Sequence, residues 1–213
     1  MRELLLLPNL VSLVRIPIAF AMVYCISREG ASAIIAAAIL MILAGVSDAL
    51  DGYLARRLGQ VTPLGIALDP IADKIFAGIL VLGLIVYREF PVWLALAIVG
   101  RDLLILIVGL IIMRGKRLSL PSNLTGKYAF GAVAVLIAGY VIRFPFGITM
   151  VTPIALILLL ASFLSYARAA VKAMRGQPTP AFRDRQSYRL VRSILAWGLS
   201  FVWLAALYLH LVE

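Results

Sequence analysis

DALDGYLARRLGQVTPLGIALDPIAD, running from Asp48 to Asp73, places four carboxylates inside or at the edge of two strongly apolar segments. An unpaired carboxylate near a bilayer centre costs roughly 2.5–3.5 kcal/mol on insertion scales, so Asp48, Asp51, Asp69 and Asp73 need a compensating charge. The pairs are spaced i,i+3 (Asp48, Asp51) and i,i+4 (Asp69, Asp73), so on helices each pair projects from one face. Two helices joined by a short turn can bring the pairs together. One or more divalent cations are the natural partner, and an all-oxygen ligand set favours Mg²⁺, Mn²⁺ or Ca²⁺ over zinc.

Composition sets the medium in which this happens. The chain has 213 residues and is 63% hydrophobic, well above the roughly 45–50% apolar usage of soluble domains. A spanning helix needs about 20 apolar residues, and apolar runs cover residues 9–26, 31–54, 65–86, 91–113, 128–142, 148–171 and 193–212. The expected fold is therefore all-α: a polytopic membrane helical bundle with six core transmembrane helices in residues 1–175. A basic linker and an additional C-terminal hydrophobic helix follow in residues 176–213. Pro70 is tolerable if it falls in the first turn of its helix. The single cysteine, Cys25, cannot form an internal disulfide and reads as a small apolar residue. No cleavable signal peptide is expected. The net charge of +10 suits anionic headgroups; nucleic-acid binding is set aside because the charges are strung along membrane loops.

The distribution of cations gives an orientation. With the N-terminus in the cytoplasm and the spans alternating, the outside loops hold only Arg28, Arg88 and Arg143, whereas fifteen Lys and Arg residues fall inside. That asymmetry fixes the expected topology. It puts the end of the second run and the start of the third on the cytoplasmic side, so all four aspartates lie at one depth near that surface. Water-soluble substrates can reach this depth, and lipid tails can enter between helices. Trp197, Trp203, Tyr208 and His210 in the last run read as interface anchors.

The order Asp48, Asp51-Gly52, Ala55-Arg56, Gly65, Asp69, Asp73 resembles the signature of the CDP-alcohol phosphotransferases, membrane enzymes of phospholipid biosynthesis, with all eight fixed positions at the right spacing. An ion-coupled transporter also carries intramembrane acids, but transport does not require Gly52, Ala55 and Gly65 at these offsets. The resemblance implies transfer of a phosphatidyl group from CDP-diacylglycerol to a polar alcohol or lipid acceptor, with release of CMP. It implies Mg²⁺, as two ions, with Mn²⁺ the alternative. Asp48, Asp51 and Asp69 would bind metal, and Asp73 would be the catalytic base and also a metal ligand. Gly52, Ala55, Arg56 and Gly65 would receive the CDP donor. For the glycines, close helix–helix packing by small residues is the competing explanation. The resemblance also implies a homodimer; the expected location is the cell (plasma or inner) membrane, with the site on the cytoplasmic side as the cation distribution has it.

The surroundings of the motif, ending in Asp69-Pro-Ile-Ala-Asp73-Lys74, are similar to the phosphatidylglycerophosphate synthase and cardiolipin synthase branch. The preferred acceptor is glycerol 3-phosphate, with phosphatidylglycerol the alternative. Arg15, Lys74, Arg114, Arg117 and Lys127 are the candidate cations for acceptor phosphate. Arg15 closes a polar triplet, Asn9, Ser12, Arg15, and reads two ways: reaching a phosphate, or snorkelling to headgroups. Two departures loosen the match, the first to the branch as a whole and the second to its glycerophosphate enzymes. Phe130 stands where the branch usually has threonine, and Arg101-Asp102 is closer to the cardiolipin synthase form. A purely structural ion pair is the other reading of Arg101-Asp102. The resemblance is strongest over residues 45–75, looser over 5–175 and absent after 176.

Overall fold

A computed structural model describes residues 6–60, 62–116 and 124–174, and all of the regular structure among them is helical. Six helices follow in chain order: α1 (Leu7–Ser27), α2 (Ala31–Arg57), α3 (Pro63–Arg88), α4 (Val92–Lys116), α5 (Leu124–Val141) and α6 (Pro145–Met174). Five of them, α1, α2, α3, α5 and α6, are long and apolar enough to cross a membrane. Large apolar side chains such as Phe20, Ile42, Leu82, Phe130 and Ile157 are exposed on them. Water would oppose such exposure, and lipid favours it. The expected hydrophobic run at 193–212, and Arg117 in the preceding basic loop, lie outside the described residues.

The helices are longer than the apolar runs because terminal residues of other chemistry join them. Pro63 starts α3 where a missing N–H costs nothing, and Thr62 caps it, its hydroxyl accepting from Gly65 N–H at 3.0 Å. Pro70 accordingly lies two turns inside α3, beyond the first turn, where a proline is tolerated best. Its ring withholds the ladder hydrogen bond that residue 70 would otherwise donate to Ile66 O, in the turn that precedes Asp69. At the other end, Glu89 adopts a left-handed conformation (φ 54°), and Phe90 N–H returns to Leu84 O at 3.2 Å. Phe90 is buried and meets Tyr140 edge-on, with ring centroids 4.8 Å apart.

The chain packs as two units. The first contains α1, α2, α3 and the short segment Tyr140–Arg143; the second contains α4, the body of α5, and α6. In the first, α1 packs against both α2 and α3. Its buried face is a single stripe, Pro8, Asn9, Ser12, Arg15, Ala19, Met22, Ile26, at helical spacing. The stripe is polar in its first half and apolar in its second. Small residues let the neighbours come close: α2 buries Ala37, Ala44 and Ser47. Gly83 of α3 sits so near Val23 that an added Cβ would be 2.5 Å from Val23 Cγ2. In the second unit, Ala129, Val133 and Leu159 form a core flanked by Ile98, Ile137 and Leu158.

Candidate active site

The polar half of the α1 stripe faces the aspartates. Arg15, only 2% exposed, sits among all four carboxylates. Its Nη1 lies 2.9 Å from Asp48 Oδ1 and also donates to Asp73 Oδ1. Its Nη2 donates to Asp69 Oδ1 at 2.8 Å and to Asp51 Oδ2. Ser12 Oγ, one turn earlier, donates to the same Asp51 oxygen at 2.8 Å. The i,i+3 and i,i+4 spacings thus do what helix geometry requires: α2 and α3 each present a carboxylate pair, and α1 supplies the charge between them. Asp51 is buried, while the side chains of Asp48, Asp69 and Asp73 are about half exposed, at 57%, 46% and 48%. The cluster therefore has a closed floor and an open top.

Neither sequence-based reading of Arg15 anticipated this position. A guanidinium that is 2% exposed does not snorkel, and its partners here are carboxylates. The signal was present, since an arginine on the same helical face as Asn9 and Ser12 must be buried with them, but the sequence does not say which helix faces it.

Four carboxylates against one guanidinium leave three formal negative charges in this set. Carboxylate oxygens of Asp48, Asp51 and Asp69 all lie within 4.8 Å of one another. Ligand oxygens around a six-coordinate Mg²⁺, with bonds of 2.0–2.1 Å, are separated by about 3–4 Å. A small inward shift therefore suits this hard, all-oxygen donor set to such an ion. Asp73 belongs to the cluster through Arg15.

The other predicted donor residues divide. Gly65 stands against α1: a Cβ there would be 2.7 Å from Asn9 Oδ1. Close helix packing accounts for this glycine. Gly52 is different, because an added Cβ would make only ordinary contact, 3.7 Å, with the Arg56 guanidinium. Ala55 is half-buried and Arg56 exposed, one turn beyond Asp51 and Gly52 on α2. Arg57 turns back on its own helix, donating to Tyr53 Oη at 3.1 Å. Lys74 follows Asp73 on α3 and is exposed, in the same unit.

Lys127, at the start of α5, and Arg114, near the end of α4, belong to the second unit, and Arg117 lies outside the described residues. In that unit Arg101 Nη1 donates to Asp102 Oδ1 at 2.6 Å, so the pair suggested by the sequence forms. Arg101 also donates to the buried Ser162 and lies over the Tyr166 ring, 5.6 Å from its centroid. Ser162 and Tyr166 were not singled out from the sequence. They are one turn apart near the end of an apolar run, where a lone serine is also a common packing residue.

The CDP-alcohol phosphatidyltransferase family model matches residues 5–173, a span that includes α1 to α5, all but the last residue of α6, and the whole aspartate motif. The chain belongs to the CDP-alcohol phosphatidyltransferase family. It is similar to the CDP-diacylglycerol–glycerol-3-phosphate 3-phosphatidyltransferase of Aquifex aeolicus, 31% identical over 175 residues, which cover 78% of this chain and 96% of that protein. It is also similar to the cardiolipin synthase (CMP-forming) of Rattus norvegicus, 37% identical over 123 residues, 57% of this chain and 39% of that protein. A third relative, the CDP-diacylglycerol–glycerol-3-phosphate 3-phosphatidyltransferase of Pseudomonas fluorescens, is 40% identical over 108 residues, 46% of this chain and 52% of the relative. The match thus spans less than half of the cardiolipin synthase and nearly all of the Aquifex protein. As a CDP-alcohol phosphatidyltransferase family member with five candidate spans, the chain is a multi-pass helical membrane protein.

Proposed function

We propose that the chain transfers a phosphatidyl group from CDP-diacylglycerol to glycerol 3-phosphate, releasing CMP, at the aspartate cluster of α2 and α3. The observation that carries this is the convergence of Asp48, Asp51 and Asp69 within 4.8 Å, with Asp73 tied to the same guanidinium. The similarity to the Aquifex protein over 96% of its length supports glycerol 3-phosphate as the acceptor. Phosphatidylglycerol is the second reading, supported by the Arg101–Asp102 pair and by similarity to the cardiolipin synthase.

In this reading Asp48, Asp51, Asp69 and Asp73 hold Mg²⁺, as two ions, which would neutralise the pyrophosphate and the departing CMP. The chain's own groups do the rest. Asp51, buried and held by Ser12, is the fixed ligand. Asp73, half exposed and held by Arg15 through one oxygen, takes the proton of the acceptor hydroxyl on its other oxygen as the acceptor attacks the donor phosphorus. The phosphorus–oxygen bond to CMP breaks, and CMP leaves as the phosphate monoester. Arg56 sits beside Gly52 at the open side of the cluster, where a donor phosphate would meet it. Acceptor phosphate would be met by Lys74, exposed in the same unit, with Arg114, Arg117 and Lys127 the further candidates from the sequence, while Arg15 is taken up by the carboxylates. The cation asymmetry supports a cytoplasmic N-terminus and a cytoplasmic site in the cell membrane, and we extend the reading to a homodimer from the family resemblance.

CMP release by purified protein in detergent, with CDP-diacylglycerol and Mg²⁺, tests this directly. Glycerol 3-phosphate, phosphatidylglycerol, inositol phosphate and serine are offered in parallel. Release with glycerol 3-phosphate alone, lost in Asp73→Asn, is expected. Release only with phosphatidylglycerol moves the chain to the second reading, and release with none of the four rejects both.

A further inference from the structure

The end of the first unit remote from the aspartates carries a buried cation that no carboxylate meets at salt-bridge distance among the described residues. Arg88 closes α3, 15 residues beyond Asp73, about 22 Å along the helix axis. It is 9% exposed, and its Nε and Nη2 are both buried without a hydrogen-bond partner. The other charges acting on it are Arg143, which repels it, and Glu29. Glu29, 88% exposed, pairs with Arg143 at 3.9 Å, and no salt bridge joins it to Arg88 among the described residues. The backbone beneath Arg88 is fixed by the left-handed Glu89 and by buried Phe90 against Tyr140. Next to Glu29 begins α2, whose cap Gly30 offers no side-chain acceptor and whose first turn holds no acid. The N–H groups of the first turn of this 27-residue helix thus have no side-chain cap, and Glu29 is the acid next to them in the chain.

A buried guanidinium with two idle donors is costly unless an anion meets it. Two donors on one planar fork match two oxygens of a phosphate. A 26-residue helix is about 39 Å long, more than the roughly 30 Å hydrocarbon thickness, so its terminal residue stands at headgroup level. We propose that Arg88, with Arg143 and the N-terminus of α2, forms a binding site for a phosphate group, separate from the aspartate cluster. The phosphate belongs to a lipid headgroup or is free in solution.

Thermal unfolding of the purified chain in detergent, with EDTA present, tests this. One arm adds inorganic phosphate against chloride at equal ionic strength; the other adds dioleoyl phosphatidylcholine against dioleoylglycerol, which has the tails without the phosphate. The midpoint is expected to rise in at least one arm, and the arm that responds identifies the source. Arg88→Gln abolishes the rise, corresponding to about a tenfold or greater loss of apparent affinity, while Arg88→Lys keeps part of it. Asp73→Asn leaves the rise unchanged. No rise over either control, an equal rise in Arg88→Gln, or loss of the rise in Asp73→Asn overturns the proposal. If Arg88→Gln does not fold, Arg143→Gln is read instead: at least a halving is expected, and an unchanged rise counts against the site.

Discussion

A guanidinium surrounded by four carboxylates cannot serve them all equally. Arg15 uses Nη1 and Nη2 for all four, and its buried Nε has no partner. Its value is the charge it places where Asp51 is buried. Removing one member of a buried ion pair costs about 3–5 kcal/mol, and the lower figure applies here because three of the four carboxylates are half exposed. Arg15→Met is therefore expected to lower stability by about 3 kcal/mol in EDTA. Saturating Mg²⁺ should recover much of that loss, since divalent ions can supply the missing charge. Thermal unfolding in detergent, with and without Mg²⁺, measures both; an equal loss in the two conditions would show that Arg15 is not balancing these carboxylates. The aspartates themselves should separate by role. Asp51→Asn is expected to weaken Mn²⁺ binding at least tenfold, as read by paramagnetic resonance of free Mn²⁺. Asp73→Asn should lower turnover by about 10²–10⁴ if it removes only the base, with a smaller change in Mn²⁺ affinity. Equal effects of the two substitutions on both readouts would remove the distinction.

Between elements, the decisive contacts are those where side chains are missing. Gly83 lets α3 approach Val23 of α1 more closely than any Cβ allows. Alanine there would gain about 1 kcal/mol of helix propensity, but overlap with a stiff, β-branched neighbour costs about 1–3 kcal/mol. A net loss of about 1 kcal/mol is expected for Gly83→Ala, and adding Val23→Ala should restore it. Unfolding midpoints of the two variants decide the matter: a Gly83→Ala protein as stable as the parent would show that the helices separate freely. This contact marks the boundary of what the sequence could tell. Six apolar runs were readable because a bilayer demands length and hydrophobicity from each, and the aspartate pairs because helical spacing fixes which residues share a face. Pairwise packing was not readable. Gly65 read as room for a nucleotide, and the sequence did not show that the Asn9 side chain stands against it. Arg101 found Ser162 and Tyr166, more than 60 residues away in the chain. Pro70 lies deeper in α3 than the apolar run alone implies, because the helix start depends on Thr62 and Pro63, which lie outside that run.

For the molecule as a whole, the remaining question is which way it faces. Fifteen basic residues on one expected side against three on the other is the kind of bias that orients multi-span proteins. The proposed site needs this orientation, because CDP-linked donors and glycerol 3-phosphate are water-soluble at their reacting ends and are met at the cytoplasmic surface. The chain allows a clean test, since Cys25 is its single cysteine. In a Cys25→Ala background, one reporter cysteine replaces Glu29, exposed between α1 and α2, and another, in a separate protein, replaces Arg57, exposed at the end of α2. A membrane-impermeant maleimide applied to intact cells should label Glu29→Cys and leave Arg57→Cys unmodified until the cells are permeabilised. The reverse pattern would put the aspartate cluster on the outer surface, away from its proposed substrates, and the enzyme reading would then fail even with every carboxylate in place. Labelling of both in intact cells would mean that α2 does not cross the bilayer, against the length and apolar character of its 27 residues.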